Sequence, residues 1–173
     1  VNKATTERWL VVNLLAPSLG IKPHPAMLYG SIETLEERLQ HMVYLRELQD
    51  ETNGYLVFIP LAVQPKKATA KVYQRTTAVE DLKTIAISRL MLDNFPHIKA
   101  YFITLGTQLA QMALHFGASD VHGTILEERI SHSAGALSPK GMTRKELIHL
   151  IQNANRIPVE RDTFYNHIKV YEA

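Results

Sequence analysis

Apolar positions recur at helical spacing along several stretches of the chain. The strongest stripe is Leu35, Leu39, Met42, Leu45 and Leu48, with Glu36, Glu37, Arg38 and Arg46 between them. It predicts an amphipathic helix from about Thr34 to Thr52, and Asn53-Gly54 is placed to cap its end. A second helix is predicted from about Val79 to Asn94, stopping before Pro96. A third carries Leu109, Met112, Ala113 and Phe116 on one face and ends at Gly117. A fourth carries Leu147, Ile148, Ile151 and Ala154, with Thr143 and Glu146 set for a capping box and Pro158 beyond its end. Glu7 to Leu15 reads as a further helix before Gly20.

Short apolar runs lie between these helices: Ala26–Tyr29, Tyr55–Val63, Ile98–Ile103 and a weaker one near Val121. They are too short for helices and sit beside Gly or Pro. They are apolar almost throughout, as buried parallel strands are. Pro60 cannot donate to a ladder, so a bulge or an early strand end is expected there. The alternation of helix and strand predicts an α/β fold with a parallel sheet of about four strand–helix units.

Composition narrows the class. The 173 residues are 46% hydrophobic and 21% charged, enough for one domain with a real core and short for two. Lys+Arg number 19 against 17 Asp+Glu, so charge makes no case for nucleic acid or an anionic membrane as partner. No apolar run approaches the ~18 residues of a membrane span, and no charged-then-apolar signal pattern opens the chain. The chain begins at Val1 rather than Met, and is expected to be a fragment of a longer polypeptide. Neither G-x-G-x-x-G nor a P-loop is present. There is no cysteine, which excludes a disulfide scaffold, a thiolate nucleophile, a Cys zinc site and an iron–sulfur cluster ligated by this chain.

Three stretches together resemble a known family. The first is Met27-Leu28-Tyr29-Gly30-Ser31-Ile32-Glu33-Thr34, followed by Glu37-Arg38 and by Leu45 to Thr52. The second is Phe58-Ile59-Pro60-Leu61-Ala62, with Ser88 to Asn94 downstream. The third is Ala113 to Ala118, then Gly123 to Glu128, completed by Arg156 to Thr163. The ordered series is similar to the C-terminal half of aminofutalosine synthase, a radical SAM enzyme of the futalosine route to menaquinone. It also resembles the related dehypoxanthine futalosine cyclase and FO synthase. The resemblance covers about Glu7 to Asn166.

What the resemblance implies is specific. The fold would be the C-terminal half of a radical SAM (β/α)8 TIM-type barrel, with residues 1–173 forming a single partial-barrel domain. A closed barrel typically needs ~250 residues and eight strands. In the family, the first half carries C-x3-C-x2-C and holds a [4Fe–4S] cluster that cleaves S-adenosylmethionine. The resulting adenosyl radical adds to an enolpyruvyl ether of benzoate. The cofactors implied are thus S-adenosylmethionine and a cluster whose ligands are not in this chain. The implied location is cytoplasmic. The expected partners are a small-molecule substrate and either the missing N-terminal half or a homo-oligomer that closes the barrel. Alone, the half-barrel is expected to be inactive.

The loops after the strands form the active face of such a barrel. Tyr29, Gly30, Ser31 and Glu33 fall at the first of these loops. Gly30 and Ile32 match the family's SAM-contact strand, although the segment equally suits a tight turn with Glu33 favouring the next helix's N-terminus. Gln64 follows the second strand; Val63-Gln64-Pro65 stands where synthase relatives have Phe-His-Pro, and is nearer the cyclase. The adjacent Lys66-Lys67 reads as solvated. Thr104-Leu105-Gly106 ends the third strand and opens a helix, where an anion or simple capping by Thr104 or Thr107 would suit. Asp120-Val121-His122-Gly123-Thr124 ends the fourth, with His122 in place of a family acid and with Gly123 and Thr124 matching. Ser31, Gln64 and His122 depart from the pattern. Glu127 and Glu128 have Arg129 and Arg161 as available salt-bridge partners. The eight histidines, among them His41, His97, His115, His132, His149 and His167, show no metal-ligand spacing. The rival reading is a non-enzymatic half-barrel, a remnant or binding module, whose open edges and uncovered inner face would drive dimerisation, docking of a partner half or aggregation.

Overall fold

Parallel strands and helices alternate through the first two-thirds of the chain, as α1 (Thr6–Ser18), β1 (Ala26–Tyr29), α2 (Leu35–Thr52), β2 (Val57–Ala62), α3 (Ala78–Met91) and β3 (His97–Ile98). Then follow α4 (Phe102–Leu105), α5 (Thr107–Ala113), α6 (Ile130–Ala134), α7 (Arg144–Gln152) and a terminal pair, β4 (Val159–Arg161) and β5 (His167–Val170). This computed structural model describes residues 4–64, 75–124, 129–136, 139 and 141–172. The predicted helices have chemical boundaries. Thr34 and Glu37 form a capping box at α2, Thr143 and Glu146 form another at α7, and Thr77 caps α3. Asn53, in the left-handed conformation, ends α2.

β1, β2 and β3 form a three-stranded parallel sheet in that order. Strand alternation divides its side chains between two faces. Met27, Tyr29, Phe58, Ala62 and Ile98 are buried with Met42, Leu45 and Leu48 of α2 and Leu82 and Ile85 of α3. Phe95 completes this core, stacked on Tyr55 with centroids 5.5 Å apart and edge-on to Phe58 at 6.4 Å. The Gln49 side chain accepts from the Tyr55 amide and donates to the Tyr55 and Asn94 carbonyls, so the end of α2 is tied to the entry of β2. On the opposite face, Leu28 pairs in register with Leu61 and is 60% exposed. One face of the sheet is thus covered by helices, and the other is open along β1.

Several expectations are corrected. The third apolar run is strand only at its start: Phe102 to Leu105 is a helical turn with all four side chains buried. A short apolar run buried on all sides has no period with which to tell strand from helix. The fourth strand is reduced to a parallel bridge between Lys99 and Asp120. β4 and β5 pair antiparallel, with a bulge at Glu160/Arg161; at three and four residues, with mostly exposed side chains, they are too short for the alternation of Ile168 and Val170 to mark a strand by itself. β2 runs through Pro60 without interruption. The amides of Ile59 and Val63 donate to the β1 side, so position 60 faces the other way, beyond the β3 residues that pair with Val57 and Phe58. On α5 the buried positions are Ala110 and Ala113, while Met112 and Phe116 are exposed. The helix ends at Ala113, so its spacing does not extend to Phe116. The described α/β content, with its parallel three-stranded sheet, fits a partial TIM-type domain. Among the described residues no helix is long and apolar enough to cross a membrane.

Candidate functional site

Parallel strands bring the loops that follow them to one end of the sheet. After β1, the Gly30 amide donates to Glu33 Oε1 at 2.6 Å and the Ser31 amide to Oε2 at 2.9 Å. Arg38 donates to the same carboxylate at 2.7 Å and also pairs with Glu80 at 2.9 Å. Burial opposes charge on Glu33, but the Gly30 and Ser31 amides and Arg38 hold its carboxyl below the usual range. The loop is therefore closed on itself. Tyr29 points to the helix-covered face, where its hydroxyl donates to Asp81 at 2.7 Å; burial and then Asp81 raise its pKa.

Gly30 is required by the backbone. Its φ is +82°, and a Cβ there would overlap the Thr76 methyl group. Gly30→Ala is expected to destabilise the protein by about 2 kcal/mol, read as a lowered urea midpoint. A shift of under a quarter of that would show that the turn relaxes freely.

The open face carries the chemistry. Register places Leu28, Ile59, Leu61, Lys99 and Tyr101 along it, with Asp120 bridged to Lys99. A cavity of about 460 Å³ lies there, lined by Leu28, Ile59, Leu61, Ala62, Gln64, Lys99, Tyr101, Thr104, His122 and Ser131. Gln64 is buried and donates to the Ala62 and Thr104 carbonyls, both at 3.1 Å. Beneath the cavity, Asp120 accepts from Arg161 Nε at 2.6 Å and from the His122 amide at 2.7 Å. Lys99 Nζ lies 3.5 Å from Asp120 Oδ1 and 3.1 Å from His122 Nδ1. Burial raises the pKa of Asp120, but Lys99 and Arg161 more than offset it and hold the carboxyl below its usual range. Burial also pulls Lys99 down, against the attraction of Asp120.

His122 has φ +77°, and its ring lies edge-on to Tyr101 with centroids 5.0 Å apart. Burial, then the Lys99 charge, push its pKa down to about 4. Below pH ~6.5 the unfolded chain takes up a proton on this imidazole that the folded protein refuses until about pH 4. Stability is therefore expected to fall as pH drops from ~6.5 towards 4, by at most ~3 kcal/mol. His122→Asn, which tolerates the left-handed backbone, should flatten that slope. An unchanged slope in the variant would assign the effect elsewhere.

The structure disperses the other predicted residues. Thr104 lies inside α4, its hydroxyl on the Tyr101 carbonyl, and Gly106 separates α4 from α5 with φ +84°. No side chain caps α5, so the expected capping by Thr104 or Thr107 is not what forms there. Gly123 and Thr124 are exposed and line a second groove with Arg144 and Tyr171. Pro65, Lys66, Lys67, Glu127 and Glu128 lie outside the described residues; Arg161, offered as a partner for the last two, pairs with Asp120. Among the described residues no three His, Asp or Glu side chains gather as a metal site. Sequence reasoning missed Lys99, Tyr101 and Arg161 as site residues. The visible signal was a lone lysine inside the apolar run Ile98–Ile103.

A half-covered parallel sheet with polar groups gathered on its open face fits a partial TIM-type α/β domain. Comparison with protein families matches residues 52–173 to the CofH/MqnC C-terminal region, and the chain belongs to that family. It is 50% identical, over 98% of its length, to aminodeoxyfutalosine synthase of Thermus thermophilus, covering 47% of that protein. It is 39% identical to cyclic dehypoxanthine futalosine synthase of Streptomyces coelicolor, over 98% of the chain and 42% of the relative. It is 38% identical to 5-amino-6-(D-ribitylamino)uracil–L-tyrosine 4-hydroxyphenyl transferase of Methanococcoides burtonii, over 97% of the chain and 49% of the relative. The chain thus spans about half the length of these relatives. The resemblance drawn from its motifs, to the C-terminal half of a radical SAM enzyme of the aminofutalosine synthase kind, holds.

Proposed function

We propose that this chain is the C-terminal, partial-barrel part of a radical SAM transferase that adds an adenosyl group to an enolpyruvyl ether of benzoate in futalosine-route menaquinone biosynthesis. The observation that carries the reading is the 50% identity to the Thermus synthase along nearly the whole chain, against 39% and 38% for the other two activities. The open sheet face supports it, because it offers a ready wall for a substrate site and a surface for the rest of a barrel to cover.

The chain has no thiolate to hold an iron–sulfur cluster, so cluster ligation and radical generation belong to residues outside it. The β1–α2 loop does not fit S-adenosylmethionine as it stands, since the Gly30 and Ser31 amides are already given to Glu33. The contribution of this chain is the substrate wall: Leu28, Ile59 and Leu61 exclude water from an apolar body, while Lys99, Tyr101 and His122 set its polar edge. On this reading the 173 residues alone are inactive. The test is anaerobic assay of the reconstituted full-length protein, with adenosyl transfer to the enolpyruvyl benzoate as readout and the substrates of the other two activities run alongside. Product from the enolpyruvyl benzoate alone supports the proposal. Absence of S-adenosylmethionine cleavage, or turnover of another substrate instead, overturns it.

A further inference from the structure

We propose that Lys99 is the anion anchor of the open-face cavity, its ammonium receiving the ring carboxylate of an aromatic ligand whose ring lies across Leu28, Ile59 and Leu61. The inference deepens the function proposed above and rests on it.

The argument begins with charge. Lys99 and Arg161 carry two positive charges around one carboxylate, Asp120. Asp120 gives its short contacts to Arg161 at 2.6 Å and to the His122 amide at 2.7 Å, while Lys99 stands off at 3.5 Å. His122 accepts from Lys99 but, being neutral, balances no charge. Among the described residues Lys99 has no carboxylate of its own: Asp120 is shared with Arg161, on which Asp162 also acts, and the Lys99 charge is left under-compensated. That charge belongs to a side chain only 4% exposed. An uncompensated buried cation is costly to a fold, and a ligand anion removes the cost.

Direction comes next. Lys99 lines the cavity, and Asp120 and Arg161 do not. A ligand entering from the open face therefore meets the Lys99 side chain and not the carboxylate. An ammonium has three donors; the contacts to Asp120 and His122 occupy two, and the third has no partner among the described residues. Gln64 cannot substitute, because its amide nitrogen already donates to two carbonyls. Leu28, Ile59, Leu61 and Ala62 form the aliphatic part of the wall, and Tyr101, Thr104, His122 and Ser131 its polar part.

Two ligands of the proposed enzyme carry a carboxylate: the substrate, and the amino-acid end of S-adenosylmethionine. The site favours the substrate. The sulfonium of S-adenosylmethionine would bring a second cation towards Lys99, and its polar chain does not match the aliphatic part of the wall.

The test uses the full-length enzyme with Lys99→Met and Lys99→Arg. Lys99→Met keeps an unbranched side chain and leaves the Asp120–Arg161 pair intact. Losing one charge-assisted contact is expected to raise KM for the enolpyruvyl benzoate roughly tenfold to a hundredfold, with kcat falling far less and Lys99→Arg recovering most of the loss. With the substrate's ring carboxylate masked as a methyl ester, wild type and Lys99→Met should show the same KM. An equal penalty on acid and ester, a change confined to the KM of S-adenosylmethionine, or no change at all overturns the inference. Should Lys99→Met fail to fold, the binding of benzoate and of benzamide to wild type is measured directly by calorimetry. Benzoate is expected to bind at least about tenfold tighter, and equal binding overturns the inference. Failure of wild type to turn over the enolpyruvyl benzoate would sink the proposed function, whereas the benzoate-to-benzamide ratio still judges Lys99.

Discussion

Replacing Asp120 with asparagine is expected to destabilise the protein by about 4 kcal/mol, the scale of breaking a buried ion pair from one side. The substitution keeps the shape and an acceptor for the His122 amide, but strands the buried Lys99 without a counter-charge and leaves Arg161 only the weaker influence of Asp162. Urea unfolding should show a large fall in midpoint. Adding Lys99→Met to Asp120→Asn should recover part of it, since the stranded charge is then gone. A fall of less than about 1 kcal/mol, the worth of an exposed pair, would mean that the cluster is more hydrated than its burial indicates.

Phe58→Ala is expected to cost about 4 kcal/mol by removing a fully buried ring from between the sheet and its helices. The ring lies edge-on to Phe95, which in turn stacks on Tyr55, so the loss also unseats an aromatic series. Leu28→Ala is the matched control, a residue of the same sheet on the other face and 60% exposed. It should change stability by no more than about 0.5 kcal/mol. Equal costs at the two positions would contradict the assignment of covered and open faces.

The covered half of the fold was legible where apolar spacing and end chemistry agree. The Leu35–Leu48 stripe and the Thr34/Glu37 and Thr143/Glu146 boxes describe α2 and α7 nearly to the residue, because capping is decided by neighbours three positions apart. The terminal hairpin was not legible. Its strands are only three and four residues long, too short for the alternation of Ile168 and Val170 with His167 and Lys169 to stand out, and the ion pair that docks it joins residues 41 apart. The site was read unevenly for the same reason. Gly30, Gln64 and His122 announce themselves as departures or matches at strand ends. Lys99 looks like a solvated residue until register with Asp120 shows it turned into the sheet's open face. That Glu33 spends its carboxylate on the amides beside it was likewise hidden, since a turn and a ligand contact place the same residues at the same spacing.

The clasp of the β4–β5 hairpin on Asp120 also orders events in time. Helices α2 and α3 and strands β1 to β3 all precede Asp120 in the chain and can assemble before the hairpin has been made. Besides the neighbouring His122 amide, the Asp120 carboxylate then has Lys99, at 3.5 Å, as its charged partner until Arg161 arrives. The hairpin's own side chains stay mostly exposed, so its docking adds little to the core and can follow it. The hairpin should therefore dock last, and refolding should end in a phase that Arg161→Met slows or abolishes while the earlier phases stay as they were.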